Sequence, residues 1–307
     1  MNSDFNNQLE DNETIDFKEI LLRLWVYRFL FIITVMLGVG SAWLVNRYST
    51  KIYKTEATVM IADDNSTGVS GMEGLMTAIG YYNPRLQFEN EVLLLESRSL
   101  IQRSLSNLDF EVKYVGLGRL KAGENYGRQL MVNIIYDKDH IQPVMTRFIV
   151  VFNSENSFSI KQDSDDFYPV YLDGSIIPRG FEADPAISGE YVLGEWIKTN
   201  YAKFKLVPSE YFYWDPKEPI EFGFNFIETK DNILNYQMAV KVLPAADGSS
   251  GIKIGIDGSN PEKNEDFINT LIAEYSKLGL EKKNKQVQNT IDFIDEQLYL
   301  ITNSLDS

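Results

Sequence analysis

Residues Gly68 to Gly74, GVSGMEG, have the glycine density of a loop that cradles phosphate. No Lys-Ser or Lys-Thr follows them, and the G-x-G-x-x-G spacing is missing, so a flexible loop accounts for them better. Asp163, Asp165 and Asp166 offer carboxylates for calcium. They lack the spacing, the glycine and the closing glutamate of an EF-hand, and a solvated turn explains them. His140 is the one histidine, set in the polar stretch DKDHIQ, so a histidine-based triad or multi-histidine metal site has no support. Cysteine is absent, which removes disulfides and thiolate zinc sites. Carboxylates abound, as in any acidic chain, and no pair stands out as an acid and base. The sequence therefore nominates no catalytic, cofactor-binding or metal residues, no cofactor, and no enzyme within these residues.

The chain instead turns on Leu24 to Val45, LWVYRFLFIITVMLGVGSAWLV, whose only charge is Arg28. A bilayer core of about 30 Å needs about 20 apolar residues in a helix. Trp25 and Trp43 lie near the two ends, where amphipathic rings favour the headgroup layer, and Arg28 and Phe29 open the apolar run. Two competing accounts are weaker. Gly40-Ser41-Ala42 would serve as a signal-peptide cleavage site, but the apolar run is long and the tail before it is acidic. A buried core helix would need apolar layers that the neighbouring sequence does not offer. The flanking charges are nearly balanced, with Lys18, Arg23 and Arg28 before and Arg47, Lys51 and Lys54 after, so orientation cannot be derived from them. The net charge of −15, with no basic patch interleaved with aromatics, argues against nucleic acid.

Residues 1–23 form a polar tail with a capped helical lead-in from Phe17. Beyond the 24–45 span, Ile52 to Ile61 reads as a strand and Pro84 to Leu108 as one helix. Between Phe110 and Ile256 short β-branched or alternating runs dominate: MVNIIY, TRFIVVF, SFSIKQ, YPVYL, YAKFKLVP, IEFGFNFIE, YQMAVKVLP and GIKIGID. Asp173-Gly174, Asp215-Pro216, Asp247-Gly248 and Asp257-Gly258 punctuate them as turns, the pattern of a sandwich-like or barrel-like β module.

After Asn260 the pattern turns helical. Pro261 suits the first turn of a helix, and Glu262 and Glu265 suit its dipole. Val287, Ile291, Ile294, Leu298, Ile301 and Leu305 then step four and three residues apart, an a/d seam over about three heptads. The helix would run about 45 residues, or about 67 Å. The seam is still in progress at Ser307, so a longer protein is expected.

Three patches in this order, Ile15 to Trp25 (IDFKEILLRLW), Tyr53 to Ile61 with Glu91 to Leu100, and Asp257 to Glu262 with Ile268 to Tyr275, resemble the Wzz-type polysaccharide chain-length determinants, or polysaccharide co-polymerases. The chain is most similar to the membrane and periplasmic front half of the tyrosine autokinases of bacterial capsule and exopolysaccharide export, in their Bacteroidetes-like form. Ile15 to Trp25, IDFKEILLRLW, resembles the family's I-D-L-x-x-L-x-x-x-L-W lead into its first membrane helix. Tyr53 to Ile61 with Glu91 to Leu100 resembles the first periplasmic strand and the L-x-S-R helix, placing Ser97 and Arg98 at motif positions. Asp257 to Glu262 with Ile268 to Tyr275 resembles the D-x-x-N-P-x-x-A-x-x-I-N-x-L entry to the long helix, at Asn260, Pro261, Glu262 and Asn269. Asn264 and Glu265 stand near the usual Ala, a departure. The likeness covers roughly residues 15–110 and 250–305.

It implies an α+β protein anchored in the bacterial inner membrane by one N-terminal transmembrane helix, with the N-terminus cytoplasmic and the bulk periplasmic. A periplasmic base would begin at 46–110, a β-rich module would fill 111–250, and the last base strand and long helix would take 251–307. It also implies a homo-oligomeric ring seated in membrane lipid that sets the length or export of a capsule, O-antigen or exopolysaccharide. A polymerase, an outer-membrane exporter and the nascent glycan are the implied partners. Two alternatives stay open. The chain could be the N-terminal part of a tyrosine-protein kinase whose catalytic domain follows residue 307. It could also be the periplasmic adaptor of an efflux or secretion system, although such adaptors place their helical hairpin early rather than last.

Overall fold

The computed structural model describes residues 25, 27–49, 51–60, 84–117, 122–164, 166–246 and 251–305. The Gly68–Gly74 loop, Asp165 and the lead-in before Trp25 lie outside them. The protein is α+β and divides into two units, residues 1–49 and 50–307.

In the first unit, helix α1 (Arg28–Tyr48) exposes every side chain. It is long and apolar enough to cross a membrane, by length and composition.

The second unit holds two hydrophobic cores. The smaller belongs to a base sheet ordered β1-β14-β13, where β1 is Tyr53–Met60, β13 Val240–Pro244 and β14 Gly251–Gly258. All pairings are antiparallel, with Tyr53 opposite Gly258 and Val240 opposite Ile256. Alternation along β14 delivers Ile252, Ile254 and Ile256 to one face. There they meet α2 (Pro84–Leu95), α3 (Arg98–Leu105), α4 (Thr229–Ala239) and the start of α5 (Pro261–Leu305) through Leu95, Ile101, Ile233, Phe267 and Leu271.

The larger core lies between two sheets of the β module. One has eight strands, with the path β3-β2-β12-β6-β7-β9 and β5 and β8 attached beside β12. Its strands are β2 (Val112–Leu117), β3 (Ala122–Asn125), β5 (Gln142–Val144), β6 (Phe148–Phe152), β7 (Ser157–Gln162), β8 (Tyr168–Val170), β9 (Ser188–Val192) and β12 (Glu221–Phe226). The other joins β4 (Val132–Tyr136), β10 (Ile197–Lys198) and β11 (Lys203–Pro208). Phe148 and Phe224 stack with centroids 4.9 Å apart, and Phe204 from the facing sheet crosses Phe224 at 5.4 Å.

The module is an insertion in the base. Val112 pairs with Phe226, so the chain enters and leaves on adjacent antiparallel strands. The Ile227 amide donates to the Glu111 carbonyl at 2.8 Å and closes the neck.

Several local expectations change. The helix expected over Pro84–Leu108 is two, broken at Glu96 and Ser97. Tyr236 to Ala239 end α4 instead of opening a strand. Asp257-Gly258 is no turn: both residues sit in the ladder, opposite Lys54 and Tyr53.

Candidate functional site

The residues at the base of α5 form one built arrangement. Asn260 caps the helix: its Oδ1 accepts from the Lys263 amide at 3.2 Å, and Pro261 takes the first turn, where no amide hydrogen is needed. The side chain of Lys263 turns back into the neck. Its Nζ lies 2.7 Å from Glu124 Oε1 on β3 and 4.6 Å from the centroid of the Phe110 ring. Ser259 Oγ donates to Glu124 Oε2 at 3.1 Å, and Lys113 stands 4.0 Å from the same oxygen. The side chains of Lys263 and Glu124 are only 10% and 14% exposed, so the pair is largely desolvated. Burial raises the Glu124 carboxyl, but Lys263, Lys113 and Ser259 outweigh it and hold it below its ordinary value near 4.5. One turn further along α5, Asp266 accepts from the Tyr126 hydroxyl at 2.7 Å. The N-P-E entry thus fastens the module to the long helix.

Gly258 is part of the same device. A Cβ there would overlap Asn264 Oδ1 and lie 2.9 Å from Nδ2, and Asn264 is buried. Gly258 therefore makes the space that the Asn264 side chain occupies. The Asn264 Nδ2 is left without a hydrogen-bond partner.

The other nominated residues lie elsewhere. Ser97 caps α3, accepting from the Leu100 amide at 3.3 Å, and Arg98 is exposed at that helix's first position. Asn269 is exposed on α5. In the first unit, the Arg28 guanidinium lies 5.2 Å from the Trp25 ring and 5.1 Å from the Phe29 ring, and Trp43 is exposed on α1. Val287, Ile291, Ile294, Leu298 and Ile301 are 46–58% exposed along α5 beyond the base core. His140 sits at a turn, its Nδ1 2.9 Å from the Ile141 carbonyl. Asp163 and Asp166 lie in the loop after β7. Among the described residues no three His, Asp or Glu side chains gather to hold a metal. Sequence reasoning missed Glu124 and Lys263. Neither has a local signature, because 139 positions separate them.

A family model described as Wzz, chain length determinant protein, matches residues 13–108. Residues 13–108 are thus similar to a Wzz chain-length-determinant region. The matched region contains α1, β1, α2 and α3 and stops just before β2, where the inserted module begins. A similar protein is the tyrosine-protein kinase ptk of Acinetobacter johnsonii, 22% identical over 96% of this chain and 39% of its own length. The chain thus spans about two fifths of that relative, and the alignment runs through the module and α5 as well as the Wzz region.

Proposed function

We propose that the chain is the anchored, export-side part of a polysaccharide chain-length determinant serving capsule, O-antigen or exopolysaccharide synthesis. The Wzz match at residues 13–108 carries this assignment. In this proposal residues 24–45 span the inner membrane, 1–23 face the cytoplasm, and the chain from about 46 onward lies in the periplasm. The region 46–110 and the strand and helix of 251–307 make the base, with the β-rich stretch of 111–250 between them. Copies assemble side by side into a ring, with the α5 face at Val287, Ile291 and Ile294 packing against a neighbour. The ring acts as a scaffold beside a polymerase, an outer-membrane exporter and the growing glycan, and no reaction is assigned to its side chains. Deleting the gene and comparing polymer length by gel electrophoresis tests this proposal. A shift in modal length that the plasmid-borne gene restores is expected; an unchanged distribution and yield would refute it.

A second assignment rests on the alignment with a tyrosine-protein kinase over 96% of the chain. Here the same body is the sensory or scaffolding half of an autokinase. Extending the gene sequence past Ser307 decides it: a second apolar span followed by G-x-x-x-x-G-K-[ST] establishes the kinase.

A further inference from the structure

Beside the neck, the module and the base enclose an open cleft of about 1090 Å³. This is at the upper end of the range of about 300–1,000 Å³ that holds drug-sized ligands, so a chain of several sugar rings fits better than one small metabolite. Its walls come from separate parts of the fold: the start of β1, Ser259 just after β14, α4, and β2, β3, β5, β8 and β12.

Three features of the lining point to one ligand chemistry. First, Tyr168 and Tyr53 hold aromatic faces in the cleft at 68% and 43% exposure. Such faces pack on the C–H faces of pyranose rings while the hydroxyl stays wet. Second, Asn225 and Asn235 add planar amides that both donate and accept, the match for vicinal hydroxyls. Third, the charge is basic in a protein of net charge −15. Within the lining, Glu124 is taken by Lys263 and Glu228 by Lys230 at 2.8 Å. Lys113 also stands 4.0 Å from Glu124, so Lys51 and Arg147 are left facing Asp231, the one remaining acid of the lining. A local excess of cations in an acidic molecule selects an anion. The cleft also contains Met145, whose φ of 62° is an uncommon conformation for a bulky side chain and lies between β5 and β6.

We infer that this cleft binds a carboxylate-bearing oligosaccharide, with Tyr168 under a sugar ring and Arg147 and Lys51 on its acid groups. The inference rests on the assignment of the chain to polysaccharide export. It adds a contact with the polymer itself, made mainly by a module outside the Wzz match.

The test uses the full chain in phosphatidylcholine nanodiscs, titrated calorimetrically with hexagalacturonate and with maltohexaose. Hexagalacturonate is expected to bind and maltohexaose to bind at least tenfold more weakly. The double variant Arg147→Gln with Lys51→Gln is expected to lose roughly tenfold or more in affinity for the acidic hexamer. Tyr168→Ala should weaken it too, while Lys217→Gln, outside the cleft, should leave it unchanged. Thermal midpoints matching the parent establish that the variants fold. Equal binding of the two hexamers, no binding of either, or an unaffected double variant would overturn the inference. So would displacement of the hexamer by phosphatidylglycerol vesicles, which would make a lipid headgroup the occupant. If gene deletion shifts polymer length while the titration is silent, the cleft assignment fails alone. If deletion leaves length and yield unchanged, the export assignment has failed.

Discussion

At the scale of single residues, Gly258 and Asn264 illustrate how the size of one side chain depends on the absence of another. Gly258→Ala drives a methyl group into a buried amide, and overpacking of this kind costs about 1–3 kcal/mol. Asn264→Ala removes both the obstacle and a buried donor without a partner, so it should be nearly neutral, and the double variant should recover most of the loss. Thermal unfolding of the four proteins in detergent measures this cycle; additive losses would sink it. Glu124 gives a second prediction. Its folded-state pKa lies below its ordinary value, so its stabilisation is present above about pH 4.5 and is lost as the pH falls through the folded value. Glu124→Ala strands Lys263 in the neck and should cost about 3 kcal/mol at pH 7. The penalty should shrink toward pH 3, which melting curves at both pH values would reveal. Glu111 has the opposite sign. Burial pushes its carboxyl up and its Oε2 lacks a partner, so Glu111→Gln should raise the melting point at neutral pH and lose that advantage on acidification.

At the scale of elements, the strands were legible because alternation along FIVVF and KFKLVP is a local consequence of one buried face. Helices α1 and α5 were legible because each carries its signal in its own residues, an unbroken apolar run in one and helical spacing in the other. Three elements misled. In YQMAVKVLP the β-branched end masks a helical start, and α4 forms because Ile233 and Tyr236 pack on the base core. The run from Pro84 to Leu108 has helical spacing throughout, yet Ser97 accepts an amide and restarts the helix. Asp257-Gly258 has turn chemistry, but its glycine is required by packing and not by a turn. The cleft was invisible in sequence because its walls are gathered from distant strands and a helix. The apolar α5 face carries an element-scale prediction. Ile291→Asp with Ile294→Asp should convert the full chain from oligomer to monomer in mass photometry without lowering its melting point, because both side chains are exposed. An oligomer that persists would place the interface elsewhere.

At the scale of the whole molecule, the second unit is a base interrupted by a module with its own core. Because Val112 and Phe226 are paired neighbours, residues 110–227 should fold when expressed alone, with a cooperative thermal transition and strand-rich circular dichroism. The reciprocal protein, with Glu111 joined to Ile227 by a short Gly-Ser linker, should keep the base sheet, since β1, β13 and β14 need no strand from the module. Broad, non-cooperative melting of the excised module would show that the cores depend on each other. The order of synthesis has a cost here: β1 waits for β14, whose partner positions Tyr53 and Gly258 lie across the entire insertion, and such non-local pairing folds slowly.

The adjacency of the module's two ends also has a hereditary consequence. A segment whose first and last strands already sit side by side can be enlarged, replaced or lost in one recombination event without shifting the register of any base strand. The base and the long helix would then descend under one set of constraints and the module under another. Lineages sharing the same scaffold could exchange the module's surface while leaving the base sheet intact.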